Sequence, residues 1–351
     1  MYIPLGIFRF LLATFVFIFH SASVFDLFMA QINWSGLGVW MFFIVSGYVI
    51  FSAHETFYKG RSTRFLINRC IRIYPTLWVC LLFSLAVLYV SDRPSLNDEV
   101  SLLNYGLKEF LLSLSIIGGG LSNSAWAPLS PAFTLTIEMH FYFIAALLFL
   151  VLPLVPKHYY RAIFCYGLLF NLFYVFIELT NSQYRFFGHF RFSPFFILGA
   201  SIFFGQKLGY RNLGVALTIL LSTVLSLHIA LSTNSSTGYI GFSLRPIGVT
   251  TSGLIFMMTI LLAYLSTCKA HGKFRQIDRY IGDLTYPIYL IQLPLLALIL
   301  EYFSVSGWHY SIVFYLICIL SAALINFAVE RPLILLRARW RGQNIETHGS
   351  A

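Results

Sequence analysis

The sequence has 351 residues, of which 58% are hydrophobic and only 10% are charged, and its formal net charge is +10. An average soluble domain has about 25% charged residues, and a soluble core of this size does not bury so much apolar surface. The composition therefore excludes an ordinary soluble enzyme and favours a protein that is solvated by lipid.

The apolar residues form runs of roughly 20 residues, which is the length that an α-helix needs to cross a bilayer. The alternating pattern of a membrane β-barrel is missing. The sequence therefore predicts an all-α polytopic membrane protein with about ten transmembrane helices. Their predicted positions are 4–27, 35–54, 73–91, 132–154, 162–179, 190–205, 212–231, 246–266, 281–303 and 310–329. A shorter apolar run at 109–118 is predicted to be an interfacial or re-entrant half helix.

The lysine and arginine residues predict the orientation of these spans. The loops after every second span and the C-terminal tail hold 17 of the 23 basic residues, whereas the opposite loops hold five. Basic residues accumulate on the cytoplasmic side of membrane proteins. We therefore expect both termini to be cytoplasmic. Anionic lipid headgroups account for the positive charge, so no nucleic-acid partner is expected.

The first span contains two ionisable residues, Arg9 near its cytoplasmic end and His20 roughly 16 Å further along the helix. An ionisable side chain at span depth costs at least about 2.5 kcal/mol and is by default a candidate for function. His20 is predicted to lie in the outer half of the bilayer. Its imidazole is either a catalytic base or a hydrogen-bonding group between helices.

A basic cluster precedes the third predicted span and contains Arg69 and Arg72. Their spacing of i, i+3 places both guanidinium groups on one helix face, where they can hold phosphate oxygens through paired hydrogen bonds. The simpler alternative is that they anchor the cytoplasmic end of the span.

The fourth predicted span contains Glu138, about two turns in from the outer face and at the predicted depth of His20. A carboxylate at that depth needs a cationic or hydrogen-bonding partner. We predict that this partner is the imidazole of His20, which the carboxylate would orient and make more basic.

Other polar residues in or beside the spans are candidates for binding a substrate: Arg191, Tyr142, Tyr286 and Gln292. Arg191 is equally well explained as a charge at a loop end, and the tyrosines as ordinary aromatic residues of membrane spans. Asp283, at the cytoplasmic end of the ninth predicted span, is expected to favour the N-terminus of that helix. The five cysteines do not have metal-ligand spacing, so no metal site is expected.

Six segments of the chain resemble, in order, the motifs of the acyltransferase family 3 membrane proteins. They are the R-x10-H spacing of Arg9 and His20, the segment 38–48 (GVWMFFIVSGY), the R-x-x-R pair Arg69 and Arg72, and the segments 134–142 (TLTIEMHFY), 282–292 (GDLTYPIYLIQ) and 330–332 (ERP). One such motif would be weak, but six in order are specific. By this resemblance residues 1–335 form the transmembrane domain and residues 336–351 a short basic cytoplasmic tail.

Two positions depart from the family pattern. Phe133 stands where the family usually has tryptophan, and Gln292 stands where it usually has histidine. Gln292 is therefore given a hydrogen-bonding role and no part in proton transfer. Glu330, in the last motif, is more simply interpreted as part of a cytoplasmic stop.

The resemblance implies an O-acyltransferase of the bacterial cytoplasmic (inner) membrane. It would move an acyl group, usually acetyl, from cytoplasmic acyl-coenzyme A to a hydroxyl group of a carbohydrate or glycolipid outside. Arg9, Arg69 and Arg72 would bind the donor, with the phosphates on the last two. His20, supported by Glu138, would act as a base in direct transfer or carry the acyl group itself. Acyl-coenzyme A is then a substrate, and no permanently bound cofactor is expected.

Two other classes of function use the same features. A proton-coupled transporter could use the intramembrane charges as a relay, although the sequence has no internal repeat and no matching pair of interrupted spans. A non-catalytic membrane partner of glycan-assembly enzymes is the second alternative. Consumption of acyl-coenzyme A by the purified protein would distinguish an enzyme from both.

The predicted topology can be tested by labelling single introduced cysteines in intact cells. A cysteine at Ser235, between the seventh and eighth predicted spans, should react from outside, and one at Gln343, in the basic tail, should react only after permeabilisation. Labelling of both positions from the same face would contradict the predicted orientation.

Overall fold

The computed structural model describes residues 3–22, 25, 34–58, 60–90, 106–116, 123–151, 192–208, 246–303 and 307–334, which form helices and no β-strand. The prediction of an all-α fold is thus confirmed for the described part of the chain. The helices are α1 (Gly6–Ala22), α2 (Trp34–Ala53), α3 (Ser62–Val90), α4 (Leu107–Leu114), α5 (Phe133–Val151), α6 (Ser193–Leu208), α7 (Pro246–Leu265), α8 (Gly272–Tyr302) and α9 (Trp308–Ile325). A π-helical turn follows α2 (His54–Tyr58) and another follows α9 (Asn326–Glu330), and a 3-10 segment (Asn123–Ala132) precedes α5.

Several of these helices have the length and apolar composition of membrane spans. Within the described residues there are five such segments: Trp34–Tyr58, Ser62–Val90, Pro128–Leu150, Gly272–Tyr302 and Trp308–Ile334. Shorter apolar helices occupy Gly6–Ala22, Phe195–Gln206 and Gly253–Leu265. The spans predicted at 162–179 and 212–231 lie outside the described residues, so the total of ten and the orientation stay predictions.

Two helices begin well before the spans predicted for them. Helix α3 begins at Ser62 rather than near residue 73, and α8 begins at Gly272 rather than near residue 281. The basic residues that lower the hydropathy of these segments are good helix formers, so the helix continues beyond the apolar run. Arg69 and Arg72 consequently lie inside α3 and not in a loop.

The chain divides into two compact units. The first comprises Met1–Ser52, Leu152–Thr285 and Val305–Val313, and it contains α1, α6, α7, almost all of α2 and the first half of α8. The second comprises Ala53–Val151, Tyr286–Ser304 and Phe314–Ala351, and it contains α3, α4, α5, the second half of α8 and most of α9.

In the first unit, α2 and α6 run parallel and in close contact. Trp40 stacks on Phe195 with ring centroids 5.6 Å apart, and the same two helices meet again further along at Phe51 and Phe204. Between these contacts the backbones approach at two glycines. A Cβ atom added to Gly199 would overlap the carbonyl oxygen of Ile44, and one on Gly47 would overlap that of Phe196. Small residues permit such close packing of apolar helices.

A polar chain joins α7 to this pair of helices. The hydroxyl of Tyr48 donates to Oε1 of Gln206 at 3.1 Å, and Nε2 of Gln206 donates to Oγ of Ser266, which directly follows α7. Because the glutamine uses both ends of its amide, it fixes the three helices in register.

In the second unit, α3 and α5 run antiparallel. Phe65, early in α3, lies 5.8 Å from Phe149, late in α5, whereas Ser84, late in α3, donates to the carbonyl oxygen of Pro128, just before α5. The inner face of α3 is polar as well as apolar, with Asn68, Arg69 and Thr76 buried in it. This face forms one side of the interior that contains most of the candidate site residues.

The close contact of α2 and α6 makes Gly199 sensitive to substitution. Because its added Cβ would overlap backbone, Gly199→Ala should destabilise the fold by about 1–3 kcal/mol through overpacking. Gly253→Ala in α7 is the matched control, since an added Cβ there meets no atom within 4 Å. Thermal unfolding of the detergent-solubilised protein should show a lower midpoint for the first variant only. Equal midpoints for both would contradict the packing.

Candidate functional site

Helix α1 carries the first two predicted site residues, Arg9 and His20. They lie eleven positions apart, which is close to three helical turns, so both lie on the same face of the helix. The ring of His20 is partly buried, with its centroid 5.4 Å from that of Phe19. No hydrogen bond joins this ring to another described residue of the first unit.

The N-terminus of α1 is held by a carboxylate from α8. The backbone N–H of Gly6 donates to Oδ2 of Asp278 at 2.9 Å, and that of Ile7 donates to Oδ1 at 2.8 Å. Asp278 is fully buried, although its neighbours Lys273, Arg275 and Arg279 are exposed. Unpaired N–H groups and the helix dipole both favour a negative charge at this position.

Two glycines allow α1 and α8 to approach at the same point. A Cβ added to Gly282 would lie 2.7 Å from Cα of Gly6, and one added to Gly6 would overlap the carbonyl oxygen of Asp278. Asp283 was predicted to favour the N-terminus of this helix, but α8 begins at Gly272, so Asp283 lies within the helix. The role of Asp278 was not predicted from the sequence. The available signal was that Asp278 is the one acidic residue in the basic segment 269–279.

In the second unit, the two arginines of the R-x-x-R pair differ in their surroundings. Arg69 is only 6% exposed, and its guanidinium carbon lies 5.1 Å from the ring centroid of Phe65 and 5.0 Å from that of Tyr142. Arg72, on the same side of α3, is partly buried. Arg69 is therefore part of the interior of the second unit.

Glu138 and Tyr142 form a pair on α5 at spacing i, i+4. The hydroxyl of Tyr142 donates to Oε1 of Glu138. Tyr142 also lies close enough to Arg69 and Arg72 to interact with both electrostatically. The structure thus brings together four of the predicted site residues, two on α3 and two on α5.

The second half of α8 adds three hydrogen-bonding side chains to this interior. Tyr286 donates to the carbonyl oxygen of Ile73 at 2.9 Å, and the hydroxyls of Tyr289 and Thr134 lie 2.9 Å apart. Gln292 is 1% exposed; its Nε2 donates to the carbonyl oxygen of Tyr289 at 3.1 Å. Oε1 of Gln292 has no hydrogen-bond partner among the described residues. This oxygen is a buried acceptor in the second unit.

Glu330, which was interpreted from the sequence as part of a cytoplasmic stop, also makes two hydrogen bonds within the second unit. Its Oε1 accepts a hydrogen bond from Thr76 at 3.1 Å, and its Oε2 accepts one from Asn326 at 3.2 Å. Thr76 lies in the middle of α3, so the carboxylate joins the end of the last helix to the polar face of α3. The contact shows why a glutamate is placed there.

Two of the sequence predictions are not tested by this geometry. His20 lies in the first unit and Glu138 in the second, so their pairing stays a prediction. Arg191 lies outside the described residues.

Comparison with known protein families gives one match. The model of the acyltransferase 3 family, described as an acyltransferase domain, matches residues 5–331, nearly the whole chain. Neither the curated proteins nor the solved structures provide a match.

The Asp278 contact predicts a specific loss of stability. Asn has one acceptor oxygen where Asp has two, so Asp278→Asn should leave one N–H of α1 without a partner and cost about 1–3 kcal/mol. Arg279→Gln, at the next and exposed position, should change stability by less than about 0.5 kcal/mol. Hydrogen exchange followed by mass spectrometry should show faster exchange at the start of α1 in the first variant alone. Unchanged exchange would show that the carboxylate does not hold α1.

Proposed function

The chain belongs to the acyltransferase 3 family, and from this premise we propose that it is a membrane O-acyltransferase that uses acyl-coenzyme A. The acyl group, most commonly acetyl, is transferred to a hydroxyl group of an extracytoplasmic or membrane-linked carbohydrate. We place the protein in the bacterial cytoplasmic membrane. The matched region 5–331 includes every predicted site residue, which supports an enzyme of this type over the two alternative classes.

The observation that carries the proposal is the concentration of charged and hydroxyl side chains inside an apolar helical unit. Arg69 and Thr76 from α3, Glu138 and Tyr142 from α5, and Tyr286 from α8 all face this interior. Each of these groups costs free energy to remove from water unless it is compensated. Retaining so many of them in an apolar unit is typical of a binding or catalytic site.

Acyl-coenzyme A is bound as a substrate through its phosphates. Guanidinium groups suit phosphate oxygens because they donate two parallel, charge-assisted hydrogen bonds. Arg9, Arg69 and Arg72 are the arginines assigned to the donor from the sequence. Of the two on α3, Arg72 is less enclosed by protein and is the better placed to contact a phosphate.

His20 is the proposed catalytic residue, because a neutral imidazole accepts a proton readily near pH 7. In direct transfer it takes the proton of the acceptor hydroxyl while the oxygen attacks the thioester carbonyl carbon. The C–S bond then breaks, and the imidazolium returns the proton to the departing thiolate. In the two-step alternative the imidazole nitrogen attacks the thioester carbonyl carbon, the C–S bond breaks and coenzyme A leaves as its thiol with the proton from the imidazole. The acceptor hydroxyl then takes the acyl group and its proton returns to the imidazole nitrogen. Glu138 is proposed to support His20 in either route.

The acceptor carbohydrate is proposed to use the remaining polar side chains. Tyr142 and Tyr286 each donate their hydroxyl hydrogen to a protein oxygen and keep only acceptor capacity. Oε1 of Gln292 can accept a hydrogen bond from a sugar hydroxyl. Arg191 is the candidate for contacting the acceptor from the outer end of the sixth predicted span.

The proposal predicts that His20→Ala abolishes transfer. Loss of a general base typically costs roughly 10²–10⁴-fold in rate. Glycans from cells that carry the wild-type gene, the His20→Ala gene or no gene should be compared by mass spectrometry. The acyl mass should be present only with the wild type, and purified wild-type protein should consume acyl-coenzyme A.

His271→Ala is the matched control, because His271 is an exposed histidine before α8. It should retain wild-type acylation. Glu138→Gln should lose less activity than His20→Ala if Glu138 only orients the ring. Near wild-type acylation by a stably inserted His20→Ala protein would exclude the histidine as the base.

A further inference from the structure

The R-x-x-R pair places two chemically identical side chains in different environments. We propose that Arg69 is a positioning residue that holds the Tyr142–Glu138 pair, and that only Arg72 of the two contacts the phosphates of the donor. This division of roles rests on the proposed function and makes its donor site more specific.

The geometry around Arg69 is that of a cation packed inside protein. Its guanidinium lies about equally far from two ring centroids, at 5.1 Å from Phe65 on its own helix and at 5.0 Å from Tyr142 on α5. Both distances are within the range of an attractive cation–π contact. With 6% of the residue exposed, little of the guanidinium is accessible to a phosphate arriving from water. A residue that binds phosphate through paired hydrogen bonds needs that access.

The same contacts connect Arg69 to Glu138. Tyr142 presents its ring to the guanidinium and its hydroxyl to the carboxylate, so one side chain touches both charges. A cation near the ring polarises it and strengthens the hydrogen bond that its hydroxyl donates. The positive charge also compensates a partly buried carboxylate that would otherwise be costly. Arg69 thereby fixes both the position of Tyr142 and the charge environment of Glu138.

Arg72 is less buried than Arg69. It lies one turn further along α3, it is partly buried rather than buried, and its charge is still within electrostatic range of Tyr142. More of Arg72 than of Arg69 is therefore accessible to a donor phosphate. The two arginines should respond differently when donor binding and turnover are measured separately.

Three variants test the separate contributions of the planar guanidinium of Arg69, the hydroxyl of Tyr142 and the guanidinium of Arg72. Arg69→Lys keeps the positive charge but loses the planar group that stacks on two rings. Tyr142→Phe keeps a ring beside the guanidinium but removes the hydrogen bond to Glu138. Arg72→Ala removes the proposed phosphate contact. Arg64→Ala is the matched control, because Arg64 is an exposed arginine earlier on the same helix.

Two measurements are needed for each variant of the full chain. Isothermal titration of the detergent-solubilised protein with coenzyme A gives the donor Kd. Incorporation of labelled acetyl groups by membranes of the expressing cells, at varied acetyl-coenzyme A, gives the maximal rate and the KM for the donor, normalised to the amount of inserted protein.

We expect Arg72→Ala to raise the Kd for coenzyme A by roughly 10–100-fold, as loss of a charge-assisted paired contact does. Arg69→Lys and Tyr142→Phe should leave the Kd within about twofold and lower the maximal rate by about tenfold or more, because they disturb a group that acts after binding. The double variant Arg69→Lys/Tyr142→Phe should have a maximal rate no lower than that of the slower single variant, since both changes interrupt the same connection from Arg69 to Glu138. Arg64→Ala should match the wild type in both measurements.

A rise in Kd for Arg69→Lys as large as that for Arg72→Ala would overturn the division of roles and restore a joint phosphate site. A full maximal rate for either Arg69→Lys or Tyr142→Phe would also overturn it. If Arg69→Lys fails to insert, Tyr142→Phe decides alone. A wild-type protein that neither binds coenzyme A nor transfers acetyl groups would overturn the proposed function together with this inference.

Discussion

A polar side chain inside a lipid-solvated helix bundle has no water to satisfy it, so it must find its partners within the protein. Most of the specific contacts in this structure follow from that constraint. Gln206 connects three helices because both ends of its amide need a partner. Glu330 reaches Thr76 and Asn326 for the same reason. Since apolar side chains are nearly as stable in lipid as in the bundle, these polar contacts and the close glycine packing determine which helix faces meet.

The candidate site residues of each unit are held by different means. On α1, Arg9 and His20 depend on the position of a helix whose first turn is fixed by the buried carboxylate of Asp278. The fixed first turn sets the depth of Arg9 and, three turns later, of His20. In the second unit the site residues are held by direct side-chain contacts, with Tyr142 between Arg69 and Glu138. A substitution at Asp278 should therefore affect Arg9 and His20 by moving α1. A substitution at Tyr142 should instead affect Arg69 and Glu138 directly.

The sequence was sufficient for the all-α fold class, because that class depends on the length and composition of the apolar runs. Apolar run length predicts helices, and the spacing of Glu138, Tyr142 and the arginines places them on helix faces that the structure brings together. Helices α3 and α8 extend beyond the predicted spans, because hydropathy detects the apolar run and not the basic residues that continue the helix. The burial of Arg69 could not be predicted, since it depends on a contact with a helix distant in sequence, and the only sequence signal for Asp278 was its isolation in a basic segment.

The departure at Gln292 restricts where proton chemistry can occur in this chain. Members of the family usually have histidine at this position, which can both donate and accept a proton. An amide does not titrate in the physiological range, so Gln292 can only orient a substrate through hydrogen bonds. Its Nε2 donates to the carbonyl oxygen of Tyr289, which fixes the direction of the amide and leaves Oε1 as an acceptor. An imidazole that takes part in the reaction must therefore come from another part of the chain than this late position.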